Sequence, residues 1–140
     1  MKAADSSVVI AGFASWHADH EPARRALDGA PRLVDHCVLE IYSVLTRLPS
    51  PHRVSTELVR DFMASRFPQP YLRLEEAEFR AFVAGLADRG VAGGAVYDAL
   101  VAVTAAAHGA ELLTCDRRAQ TTYERYGISV KLVAQELRRS

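Results

Sequence analysis

Four short apolar runs, each opened by a glycine or proline, most constrain what this chain can fold into. They are residues 32–34 after Pro31, 71–74 after Pro68 and Pro70, 110–114 after Gly109, and 128–133 after Gly127. A breaker followed by a brief apolar run reads as a strand. Helix-like sequence fills the spaces. Residues 21–27 carry Pro22, suited to a first turn. Residues 38–48 set Ile41, Val44, Leu45 and Leu48 on one stripe and stop at Pro49. Ser55 with Leu58, Val59 and Phe62 marks another helix. Residues 75–88 are amphipathic through Ala77, Phe79, Phe82, Val83 and Leu86. Residues 95–108 are rich in Ala and Val and end at Gly109, a residue suited to a helix C-terminus. Residues 118–126 form a last short helix. Strands alternating with helices predict an α/β protein, a three-layer α/β/α sandwich with a mostly parallel central sheet. Helices 75–88 and 95–108 are expected to cover its two faces.

A chain of 140 residues suits one domain, 1–140, around one core. Lys+Arg and Asp+Glu number 17 each, so no global field steers nucleic acid or an anionic membrane to it. A nucleic-acid surface must then come from local segregation of charge. The stretch from Asp116 onward does lean basic, with Arg117, Arg118, Arg125, Lys131, Arg138 and Arg139 against Asp116, Glu124 and Glu136. Cys37 and Cys115 form no CxxC pair and read as reduced thiols of a cytoplasmic protein. No secretory signal core and no apolar run of membrane-spanning length is expected.

Ligands of an open parallel sheet sit outside the carboxyl ends of its strands. Asp116 follows the strand at 110–114. Asp98 opens the helix after Gly90 to Gly94, and Glu40 lies in the first turns of the helix after the strand at 32–34. Asp5 reaches the same rim only if "KAAD" is a first strand and Ser6 starts a helix. By propensity the β-branched run "SSVVIAGF" is itself the strand. Four carboxylates in one pocket repel unless a cation is present. All-oxygen ligation suits Mg²⁺ or Mn²⁺, ions that activate water for in-line phosphoryl displacement. Each acid alone also has an ordinary reading: Asp98 at a helix dipole, Asp116 as an N-cap, Glu40 as a solvated side chain, Asp5 in a turn. His17 and His20, three apart, read as a polar surface turn rather than a zinc site. Trp16, Phe62, Phe67 and Tyr71 belong either to the core or to a partner surface.

The blocks "DSSVVIAGF", "LEIYSVLTRL" and "YDALVAVTAAAHGAELLTCD" resemble those of PIN-domain ribonucleases, specifically the VapC-type toxins of bacterial toxin–antitoxin pairs. The resemblance runs from Asp5 to about Val133. It implies a Mg²⁺- or Mn²⁺-dependent endoribonuclease with Asp5, Glu40, Asp98 and Asp116 as the acidic cluster. Asp5, Asp98 and Asp116 are the implied metal ligands, and Glu40 acts through water or as a base. Ser6 and Thr114 match hydroxyl positions that support the acids. It implies a first strand ending at Asp5, a cognate antitoxin and a homodimer. Arg117, Arg118 and Arg125 are the candidates for RNA contact. Two other classes stay open: a PIN-like module that binds protein or RNA without cutting, and, less well matched, a phosphoacceptor receiver domain.

Overall fold

The computed structural model describes residues 1–134; Glu136, Arg138 and Arg139 of the basic stretch lie outside them. Among the described residues four strands form one parallel sheet in the order β2-β1-β3-β4: β1 (Lys2–Ala4), β2 (Arg32–Leu33), β3 (Glu111–Thr114) and β4 (Val130–Leu132). Seven helices among the same residues accompany them: α1 (Ser6–Phe13), α2 (His20–Asp28), α3 (Asp35–Thr46), α4 (Thr56–Arg66), α5 (Glu76–Gly85), α6 (Ala95–Ala107) and α7 (Arg117–Arg125). None of the described helices is long and apolar enough to cross a membrane.

The N-terminal ambiguity resolves against propensity. Lys2–Ala4 is a central strand, and the Val-rich run that follows is α1. Ala3 and Ala4 are fully buried, so their small side chains let neighbouring elements close over the sheet. Asp5 starts the helix by accepting the backbone N–H of Ser7 at 3.0 Å, and Val8, Val9 and Ala11 are buried against the core. A cap of this kind contributes about 1 kcal/mol, and the buried stripe outweighs the β preference of valine. α1 also packs closely on α2: a Cβ added to Gly12 would stand 2.5 Å from Leu27 Cδ1. In β3 both Leu112 and Leu113 are buried, as expected of a strand covered on both faces.

Two expectations are corrected. Residues 71–74 form no strand. Leu72 alone bridges Val34, its N–H donating to the Leu33 carbonyl at 2.8 Å and its carbonyl accepting from Asp35 at 2.9 Å. Pro70 has no N–H to extend the ladder, and Tyr71 is exposed. Second, α5 buries none of its side chains, and Phe79 and Val83 are exposed. It does not cover a sheet face as its length suggested. Of the four uncertain aromatics, Phe67 is buried and Phe62 packs edge-on against Phe13 and Phe67, whereas Trp16 and Tyr71 are exposed.

Candidate active site

The topology brings four separate segments to the carboxyl rim of the sheet. Asp5 ends β1, Asp116 follows β3 and caps α7, Asp98 lies in the first turn of α6, and Glu40 lies within α3. All four line one pocket, together with Ser6, Ser7, Tyr97 and Tyr123. Its enclosed space is about 40 Å³. A single water needs about 10–15 Å³ on that measure, so the pocket has room for an ion with waters and not for a nucleobase.

Asp5 is the buried anchor, 4% exposed. Its Oδ1 accepts from Ser7 N–H, the Ser7 hydroxyl and Val8 N–H; its Oδ2 accepts from the Tyr123 hydroxyl at 2.8 Å. Burial pushes this carboxyl above its ordinary value, and the donors from Ser7, Thr114, Tyr123 and Val8 oppose that push. Burial likewise raises the Tyr123 phenol, with the Asp5 charge adding to it. Tyr123 therefore stays a proton donor.

Ser7 and Thr114 lie 3.3 Å apart through their hydroxyls. Ser7 Oγ also accepts from Cys115 N–H at 2.8 Å, and Thr114 Oγ1 from Asp116 N–H at 3.0 Å. The Ser7 bonds tie the first turn of α1 to the end of β3. The serine hydroxyl on Asp5 is that of Ser7, not that of Ser6 as the resemblance implied. Ser6 lines the pocket but turns its hydroxyl toward Cys37, a thiol that burial pushes up to about 12. Successive helix residues point about 100° apart, so only one of two adjacent serines faces the carboxylate.

Asp98 is half-buried, and no hydrogen-bond donor among the described residues reaches it. Burial first, then the charges of Asp116, Asp5 and Glu40, push its carboxyl up to about 6; His36 opposes them. Asp116, which lines the pocket, turns Oδ1 to the N–H groups of Arg118 (2.9 Å) and Ala119 (3.3 Å). Its two readings, N-cap and site acid, are thus compatible. Glu40 stands at the exposed edge, 3.6 Å from His36 Nε2. Arg117, Arg118 and Arg125 are exposed on α7 and pair with no acid among the described residues. His17 and His20 serve the backbone: His17 Nδ1 accepts from Asp19 N–H, and His20 Nδ1 bonds the Ala11 carbonyl.

The carboxylates ring the pocket rather than converge; among the described residues no three His, Cys, Asp or Glu side chains stand as a ready metal cage. The donor set nonetheless fits a hard divalent cation. A half-buried carboxyl without a donor, pressed by three like charges, is the group a cation would satisfy.

Residues 3–125 match the family model of the PIN domain. The chain belongs to the PIN-domain family. Among its relatives, Ribonuclease VapC40 of Mycobacterium tuberculosis is 50% identical over 133 residues, 95% of this chain and 99% of the relative. Ribonuclease VapC27 of the same organism is 39% identical over 142 aligned positions, 94% of this chain and 96% of the relative. Two solved structures share the fold. FitAB bound to an IR36 DNA fragment superposes with a TM-score of 0.73 at 18% identity, each chain covered completely. FitAcB from Neisseria gonorrhoeae superposes with a TM-score of 0.68 at 16% identity, covering 93% of this chain and 96% of the other. All four acids of this PIN-domain protein lie within the matched residues. Sequence reasoning did not pick out Ser7 or the Tyr123 hydroxyl. The spacing of Ala119 and Tyr123 on α7 marks Tyr123 as inward-facing, but nothing local reveals its contact with Asp5.

Proposed function

We propose that this PIN-domain protein is a metal-dependent endoribonuclease, the toxin of a type II toxin–antitoxin pair, acting in the cytoplasm. The observation that carries the reading is the single pocket lined by carboxylates from four separate elements at the sheet's carboxyl rim. RNA as substrate draws support from relatives named ribonucleases that align over nearly their full lengths.

In this reading Asp5, Asp98 and Asp116 hold Mg²⁺ or Mn²⁺, which when bound neutralises their mutual repulsion and makes a nearby water more acidic. Asp5 is oriented by Ser7 and Tyr123, and Asp116 by the first turn of α7. Glu40, exposed and beside His36, takes the proton of the attacking water. Arg117, Arg118 and Arg125 meet RNA phosphates, offsetting the negative pocket. Protein partners, an antitoxin and a second copy of this chain, fit the exposed apolar side chains Leu39, Tyr42, Phe79 and Val83.

The test is cleavage of structured RNA in Mn²⁺ by the wild type, Asp5→Asn and Asp98→Asn. The wild type is expected to cut, and both variants to lose at least a hundredfold; full activity in both variants overturns the site. One observation favours a second reading, a PIN-like module that binds without cutting: both Asp5 oxygens already accept protein hydrogen bonds. Calorimetry separates the two, since absence of Mn²⁺ binding to the wild type supports the non-cutting module.

A further inference from the structure

We propose that Tyr97, backed by His36, forms a stacking shelf for an unpaired RNA base at the mouth of the acidic pocket, an inference that rests on the nuclease reading of that pocket. Tyr97 precedes Asp98 in the first turn of α6 and lines the pocket with the acids. It is nevertheless 55% exposed. Its ring lies parallel to that of His36 in the first turn of α3, with centroids 5.0 Å apart and planes 4° apart. His36 is in turn placed by Glu40, 3.6 Å from its Nε2. The Tyr97 ring is therefore held in one orientation by a stack that bridges two helices, while much of its surface faces solvent. Leu39, 74% exposed and one turn along α3 from His36, continues the apolar edge.

Charge explains why such a shelf is needed. The pocket is ringed by carboxylates, and RNA is a polyanion, so the pocket itself repels its substrate. Affinity must come from its surroundings. The arginines of α7 supply it through phosphates. On the side of α3 and α6, the aromatic pair supplies it through a base, a contact indifferent to the negative field. The pocket is too small to admit a base, so the base beside the attacked phosphate must rest outside it, where Tyr97 stands. Aromatic faces take up bases only when these are unpaired, as in loops and single strands. A purely structural tie between α3 and α6 would gain little from a ring left more than half in solvent.

The experiment uses short single-stranded RNAs with 2-aminopurine at each position in turn, without divalent metal so that nothing is cut. The fluorescence of 2-aminopurine falls when the base stacks. The wild type is expected to quench at a restricted position. Tyr97→Ala and Tyr97→Leu are expected to lose that quench and to weaken RNA binding by roughly tenfold, given the usual worth of one base stack. Tyr97→Trp is expected to keep both. The leucine variant retains apolar bulk, so the comparison stands even if alanine unsettles the helix. Unchanged quenching in Tyr97→Leu, or no quenching at any position in the wild type, overturns the shelf. Cleavage by Asp98→Asn in Mn²⁺ is read separately. If that variant cuts like the wild type while the Tyr97 pattern holds, the assignment of the acidic pocket as the cleavage site falls and the RNA-binding shelf stands.

Discussion

Replacing Tyr123 by phenylalanine removes one oxygen from the interior and little else. The ring is 1% exposed, and its hydroxyl donates to Asp5 Oδ2 at 2.8 Å; Asp5 is itself 4% exposed. Water has no easy route to replace the lost donor. A hydrogen bond to a charged group contributes about 1.5–3 kcal/mol net. The variant should therefore lose about 2 kcal/mol, or about 7 °C in Tm for a chain of this length. The assay is urea unfolding of metal-free protein at pH 7.5, as a double-mutant cycle with Asp5→Asn. A neutral amide leaves a less costly unsatisfied group, so in that background Tyr123→Phe should cost less than about 1 kcal/mol. A loss below about 0.5 kcal/mol in the wild-type background, or equal losses in both, would refute the claim that Tyr123 holds a buried carboxylate.

Asp98 titrates at about 6 when folded against 3.8 for the free side chain. The folded state thus holds more protons between those values, and stability falls as pH rises through that window, with the penalty complete above it. Metal-free Asp98→Asn should show a smaller loss of Tm than the wild type between pH 5 and pH 7.5; an equal loss sinks the assignment. Asp116→Asn should keep the α7 cap and its stability, whereas Asp116→Ala should lose about 1 kcal/mol by thermal melting, with RNA cleavage lost in both. An Asn variant as unstable as Ala contradicts the dual role. Arg118→Gln and Arg125→Gln should each flatten the slope of log K against log salt for single-stranded RNA by about 0.7; an unchanged slope removes α7 from the RNA path.

Much of this fold is legible in the chain because its breakers are local. Gly109 and Gly127 sit at positive φ, close the preceding helices and open β3 and β4, and a reader of the sequence meets that punctuation directly. Local propensity is a poorer guide elsewhere, where capping, packing and helical phase decide. "SSVVIAGF" is helical because Asp5 caps it and the core takes its valines. Residues 71–74 lack a strand because Pro70 denies the ladder a donor. The acids at positions 5, 40, 98 and 116 are individually ordinary and become a site only through the order of strands at the rim. The choice of Ser7 over Ser6 is a matter of helical phase, and the Tyr123 hydroxyl reaches Asp5 across the fold.

The most direct test of the central claim, that these acids together hold a divalent ion, is anomalous diffraction from crystals grown with Mn²⁺. The account predicts a manganese peak in the pocket between Asp98 and Asp116, with Asp5 beside it and Glu40 at its open edge. A saturated crystal with no peak among those carboxylates, or with manganese bound only elsewhere, would contradict it.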